Sequence, residues 1–242
     1  MSKPHTVVFD IETAALPLES FDRPQQDYLL KLAELEPDEE KKKLKAEELK
    51  AKLSLYPYTA QVIVIGMLNV ESRRGVVYYQ ESDPGAERAR WRSSDDLVEF
   101  VPGSETEMLV AFWQAIPKYQ RFVTFNGRRF DCPFLLVRSA LLGIQPTRNL
   151  MPPRFSVTPH CDLMEQLDFY GATRKYSLDF LCKAFGIDSP KAGGIDGAAV
   201  GQYFAQGRCR ELAEYCLSDV QATAELYRRW QKYLSFERQG SG

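Results

Sequence analysis

Asp10 and Glu12 in VVFDIET, Asp131 in FNGRRFDCP, and Asp219 with Tyr215 in EYCLSDVQAT are the residues whose types and spacing could do chemistry. Each patch sets an acid where the local pattern would otherwise take an apolar residue. A buried carboxylate is costly unless it is paired or bound to a metal. Acids that converge on one point therefore imply a divalent-cation site, and metal-assisted hydrolysis of a phosphodiester is chemistry such a site could do.

In an extended segment alternate side chains share a face, so Asp10 and Glu12 lie on the side of Val8. Asp10 follows Val7, Val8 and Phe9, a run typical of a strand covered on both faces; the plain alternative is a solvated strand end. Asp131 has its own plain alternative, because an acid at a helix start caps free amides and suits the dipole, and Pro133 is tolerated in the first turn. That leaves Asn126-Gly127-Arg128-Arg129-Phe130, a polar, basic and aromatic cluster able to contact a phosphate and stack on a base. The third patch carries most weight. Leu212, Tyr215, Cys216, Ala222, Thr223, Leu226 and Trp230 fall along one helical face, and Glu211, Glu214, Ser218, Gln221, Glu225, Arg228 and Lys232 along the other. Asp219 lies on the apolar face, one turn after Tyr215.

The elements that must position these residues follow from periodicity. Thr6–Ile11, Gln61–Val70 and Gly75–Gln80 read as strands, then Arg121–Phe125 and a short strand within Phe155–Leu163. Helices are expected from Glu105 to Lys118, from Asp131 to about Leu142, from Ser177 to the C′ glycine Gly186, and from Arg208 to Leu234. Residues 25–55 differ in character: rich in Glu, Lys, Leu and Ala, broken at Pro37, with pairs such as Glu39/Lys43 and Glu48/Lys52 suited to a solvated helix. They read as a helical hairpin inserted between the first two strands, solvent-facing, with a protein-docking arm as the other use. Residues 81–104 read as irregular, and residues 1–242 as one domain carrying these two insertions.

A net charge of −2 and 26% charged residues describe an ordinary globular chain, so any nucleic-acid contact must come from local basic patches. Five cysteines without a CxxC pair argue against a disulfide framework or a structural zinc. The acidic VVFDIET near the N-terminus does not suit a signal peptide, and no apolar run spans a bilayer; the expectation is a cytoplasmic protein without membrane contact. His5 and His160 lack helically spaced partners, which leaves a Ser/His/Asp triad unsupported. Weaker features are Asp162, read as a turn or cap; Arg88, Arg90 and Arg92 around Trp91; and Lys191, a phosphate contact with no companion.

In order and spacing, FDIET, NGRRFDCP and YCLSD resemble the three motifs of the DnaQ-like (DEDD) 3′–5′ exonucleases, and Tyr215-x-x-x-Asp219 resembles their DEDDy branch. FDIET and NG-x-x-FD-x-P are most similar to predicted exonucleases related to the proofreading domain of family B DNA polymerases. The resemblance implies an α/β ribonuclease-H-like fold with a mixed five-stranded sheet flanked by helices. It implies that Asp10, Glu12, Asp131 and Asp219 hold two Mg²⁺ or Mn²⁺ ions, which clamp the attacking and leaving oxygens. Tyr215 would orient the water or accept its proton, and Thr13, Asn126 and Phe130 would hold the terminal nucleotides. The expected partner is a single-stranded 3′ end, DNA ahead of RNA. An exoribonuclease of the same fold, or a non-catalytic nucleic-acid-binding or scaffold subunit, is the alternative.

Overall fold

The structure, a computed structural model, describes residues 5–81, 89–188, 195 and 197–236. Lys191 and Arg88 lie outside them. The sheet order is β4-β5-β3-β2-β1-β6-β7. Its centre is β1 (Thr6–Ala15), antiparallel to β2 (Ala60–Asn69) and parallel to β6 (Arg121–Thr124). Beyond β2 lie β3 (Gly75–Gln80), β5 (Val98–Gly103) and the two-residue β4 (Trp91–Arg92); beyond β6 lies β7 (His160–Asp162). The five expected strands form the unit β3-β2-β1-β6-β7, and the sheet has seven because residues 81–104 contribute β4 and β5. This mixed α/β sheet flanked by helices is consistent with a ribonuclease-H-like fold.

Helices cover both faces, and β1 shows why its sequence is apolar on both sides. Val7, Phe9 and Ile11 pack with Met108, Leu109 and Phe112 of α3 (Glu105–Ala115) and Phe134 and Leu135 of α4 (Asp131–Leu141). Val8 and Ala14 join the opposite cluster with Leu212, Cys216 and Val220 of α8 (Cys209–Tyr233). A one-residue slip would exchange the two sets, so this register is strongly specified. Asp10 and Glu12 consequently face α8, as the alternation predicts. All five cysteines are free and buried.

The insertion is the expected helical hairpin, α1 (Arg23–Glu34) and α2 (Glu39–Lys52), N-capped by Asp22 and Asp38. Lys42 of α2 pairs with Glu34 of α1, and the pairs Lys45–Glu48, Lys50–Glu47 and Arg23–Asp27 are exposed and each worth about 0.2–0.5 kcal/mol. Leu44 is exposed, because this hairpin has no further layer to cover it. On the α3–α4 side, Arg138 donates from Nε and Nη2 to the two oxygens of Glu105, at 2.9 and 2.7 Å. The same Glu105 accepts from Val62 N–H at 2.8 Å, tying both helices to β2.

The remaining helices are short. α5 (Leu163–Leu167) follows β7 directly, and α6 (Leu178–Ala184) is N-capped by Ser177 and closed by Gly186 at φ +67°. α7 (Val200–Ala205) leads into α8.

Candidate active site

The β1–β6 pairing ends at Val8, so β1 outruns its parallel neighbour and the chain leaves β6 over an open crevice. Three elements meet there. One carboxylate oxygen each from Asp10, Glu12 and Asp219 fall within 4.8 Å of one another. Asp219 reaches them because α8 lies close on the sheet opposite Asp10. Its closeness depends on Gly66, the β2 residue paired with Asp10. A Cβ at Gly66 would stand 2.9 Å from both Cys216 Sγ and Val220 Cγ2. Cys216 Sγ itself rests 3.7 Å from the Asp10 carbonyl oxygen.

Asp131 joins the cluster from the start of α4. With β6 already ended, the Ile11 N–H has no strand partner, and it donates instead to Asp131 Oδ1 at 3.0 Å. This bond fixes α4 to β1 between the two acids of the first patch. Asp131 is not one of the three most tightly grouped acids, yet its charge leads the repulsion acting on Asp10. Burial, then repulsion from Asp131, Asp219 and Glu12, pushes Asp10 well above the usual carboxylate range. Glu12 is raised in the same way by burial, Asp219 and Asp131. Asp131 is pushed up to about 7, chiefly by burial. Acids this close cannot all ionise cheaply, and an all-oxygen donor set of this kind is what a hard divalent cation takes. The residues present fit such an ion.

Tyr215 lies one helical turn before Asp219, and the Asp219 carboxylate acts on its hydroxyl. Burial and then the neighbouring charges of Asp219, Glu12 and Asp10 raise its phenol well above the ordinary tyrosine value. The ring therefore stands as a neutral donor.

The turn after β6 is built by a different device. Asn126 has φ +64°, a conformation in which Asn is enriched. A side chain at Gly127 would collide with Thr124, whose atoms would lie 2.5–2.7 Å from its Cβ. Buried Asp162, at the end of β7, holds the turn: Oδ1 accepts from Asn126 N–H at 3.0 Å and Oδ2 from Arg128 N–H at 2.9 Å. Oδ1 also accepts from Met164 N–H at 3.0 Å, the cap expected of it.

Asp10, Asp219, Tyr215, Phe125 and Asn126, together with Met164, Ser177, Leu178 and Asp179, line a cleft of about 310 Å³. Of the expected nucleotide contacts, Asn126 is there. The Thr13 hydroxyl donates instead to Ser54 O at 2.7 Å, on the insertion side, because period two turns it away from Glu12. Phe130 packs on Phe134, ring centres 5.4 Å apart, within the α3–α4 cluster. Phe125, which the motif pattern did not single out, takes the aromatic position in the cleft; it is the last residue before Asn126-Gly127, and that adjacency was the available signal. The Trp91 cluster packs on its own strands: Trp91 stacks on Phe100 at 3.6 Å, Arg90 pairs with Glu99 and Arg92 with Asp96, while the Trp91 indole N–H is buried without a hydrogen-bond partner.

Residues 94–237 match the model of a family described as predicted 3′–5′ exonucleases related to the exonuclease domain of PolB. The chain belongs to this family. The match takes in Asp131, Tyr215 and Asp219, while Asp10 and Glu12 precede it. Two DNA polymerases, from Thermococcus litoralis and Thermococcus aggregans, are each 27% identical over 154 residues, 56% of this chain. That stretch is 9% and 8% of their own lengths, so the chain spans a small part of these relatives. A family B DNA polymerase from Pyrobaculum calidifontis has a similar fold, with TM-score 0.58 and 18% identity. That likeness covers 94% of this chain and 24% of the polymerase. No helix among the described residues is long and apolar enough to cross a membrane.

Proposed function

We propose that this chain is a metal-dependent 3′–5′ exonuclease of the DEDDy kind, releasing nucleoside 5′-monophosphates from single-stranded 3′ ends. The observation that carries it is the convergence of Asp10, Glu12 and Asp219 within 4.8 Å, with Asp131 bonded to the same strand, and Asp10 and Asp219 lining a cleft. Asp10, Glu12, Asp131 and Asp219 would hold two divalent ions, Mg²⁺ or Mn²⁺, whose chemistry is to acidify water and to offset charge on the departing 3′ oxygen.

The remaining work belongs to the chain. Tyr215, kept protonated by its acidic surroundings, donates a hydrogen bond and orients the water rather than accepting its proton. Asn126 supplies amide donor and acceptor groups to the terminal nucleotide, and Phe125 offers a ring to its base. Thr13 acts at a distance, anchoring the end of β1 to Ser54. A cleft of about 310 Å³ sits at the lower end of ligand pockets. It suits one nucleotide drawn from a single strand better than an intact duplex end. DNA is the favoured substrate on the relation to PolB. The test is product analysis after incubating unlabelled DNA and RNA single strands with Mg²⁺ or Mn²⁺. Nucleoside 5′-monophosphates from wild type and none from Asp219→Ala support the proposal; 3′-monophosphates or internal fragments overturn it.

A further inference from the structure

Part of the cleft lining is not used by the chemistry above. One stretch of its wall is Ser177, Leu178 and Asp179, flanked in sequence by two aromatic residues, Tyr176 and Phe180. Their rings stack on each other with centres 4.5 Å apart and planes 13° from parallel. Arg174 places its guanidinium 5.3 Å from the Tyr176 ring centre. Phe180 remains 52% exposed.

A second aromatic pair stands in the segment that leads to this wall. Phe155, 76% exposed, meets Tyr170 edge to face at 5.1 Å, with Arg154 5.9 Å from its ring centre. Tyr170 is tied to α5, the helix that brings Met164 to the cleft, through Gln166 Nε2 to its hydroxyl at 2.7 Å. The turn presenting it is unusual. Phe169 and Tyr170 have φ +51° and +59°, a conformation uncommon for bulky side chains. Buried Asp168 holds the turn by accepting from Gly171 N–H at 2.9 Å. Positive charge accompanies the rings. Arg154 and Arg128 share one buried acid, Glu165, at 2.8 and 3.3 Å, which leaves that trio cationic. Arg174 and Lys175 are exposed beside the other pair, Lys175 with its ammonium 4.0 Å from the Asp168 carboxylate.

Exposed rings interleaved with arginines are what a single strand needs, since every base has a face to stack and every linkage a charge to neutralise. The exposed Tyr28, Leu32 and Leu35 of the insertion are not part of the cleft lining or adjacent to it in sequence. We propose that Phe155, Tyr170, Tyr176 and Phe180, with Arg154, Arg174 and Lys175, bind the single-stranded nucleic acid lying 5′ of the nucleotide held in the cleft. This rests on the nuclease function proposed above, and it adds which side chains of this chain hold the strand upstream of the nucleotide removed.

The experiment measures binding and cleavage separately. Fluorescence anisotropy in EDTA would give the affinity of 5′-labelled ten-nucleotide and two-nucleotide single strands for wild type, Phe155→Ala, Phe180→Ala and, as a control on the insertion, Tyr28→Ala. Cleavage of both strands would be followed in Mg²⁺. The expected result is that each Phe→Ala weakens ten-nucleotide binding by about 5- to 100-fold, the loss of one base–ring stack. Tyr28→Ala and dinucleotide turnover should not change, and melting temperatures should stay at the wild-type value. Ten-nucleotide binding unaffected by either variant, or absent from wild type, overturns the proposal and leaves the surface to a protein partner. Equal losses on dinucleotide and ten-mer overturn it too. Binding that depends on the two rings without cleavage by wild type keeps this surface and removes the exonuclease function instead.

Discussion

Gly66→Ala should separate the close approach of α8 from every other feature of the site. The added Cβ would sit 2.9 Å from both Cys216 Sγ and Val220 Cγ2. Comfortable carbon contacts lie at about 3.5–4.0 Å, so α8 or the two side chains must retreat by roughly 0.5–1 Å. Overpacking of this kind costs about 1–3 kcal/mol, which in a chain of this size lowers the melting temperature by roughly 2–12 °C. Asp219 lies between Cys216 and Val220 on the helix and would retreat with them. A misplacement of about 1 Å in a catalytic constellation can cost about 100-fold in rate. The assay is single-strand cleavage at saturating substrate, with melting measured with and without Mn²⁺. We expect kcat to fall by about 10- to 100-fold, the Mn²⁺-dependent rise in melting temperature to shrink, and Val220→Ala in the same chain to restore part of both. A variant with kcat within about twofold of wild type and an unchanged Mn²⁺ response would refute the reasoning, even if its melting temperature fell.

The carboxylates make a pH prediction. Folding raises Asp10, Glu12 and Asp131, the last to about 7, so the metal-free folded chain binds more protons than the unfolded one. Metal-free stability is therefore fullest below about pH 4 as far as these groups decide it, and declines as pH rises through about 7. Because a cation takes the ionised form, the Mn²⁺-induced rise in melting temperature should grow from pH 5.5 to 8 (about the span of these titrations) and nearly vanish in Asp10→Asn; a pH-independent rise would count against the site. Asp162→Asn swaps an acceptor for an amide donor facing the Asn126–Arg128 turn, and thermal melts should show a loss of about 1–3 kcal/mol together with a raised KM. Tyr215→Phe should lower kcat by about 10- to 100-fold, the worth of a hydrogen bond of about 1.5–3 kcal/mol to a charged group, and leave the melting temperature nearly unchanged.

Periodicity carried the sequence a long way where one face is buried. Val7-Val8-Phe9 marked a strand covered on both sides, and the apolar stripe of α8 placed Tyr215 and Asp219 together, as their shared place in the cleft bears out. β5 was harder to see because Pro102 argues against a strand. It is tolerated there because β4 pairs only with Glu99 and Phe100, so that among the described residues no strand pairs with Pro102 on that edge. Thr13 and Phe130 show the limit of adjacency to a motif. Strand alternation sends the Thr13 side chain to the face opposite Glu12, and Phe130, at the start of α4, packs with that helix rather than the cleft. Gly66 and the close approach it permits depend on pairing β2 with β1 under α8, a three-body fact that no local pattern encodes. Asp162 was legible as a cap, yet its grip on Asn126 and Arg128 spans more than thirty residues of sequence.

The most direct test of the central claim is digestion of matched 5′-labelled single-stranded DNA and RNA of equal sequence, with Mg²⁺ or Mn²⁺, by wild type and Asp219→Ala. The four-acid site predicts a ladder that shortens stepwise from the 3′ end, stronger on DNA, absent without metal and absent in the variant. Intact strands after incubation with wild type in either metal, or an equal ladder from Asp219→Ala, would contradict it.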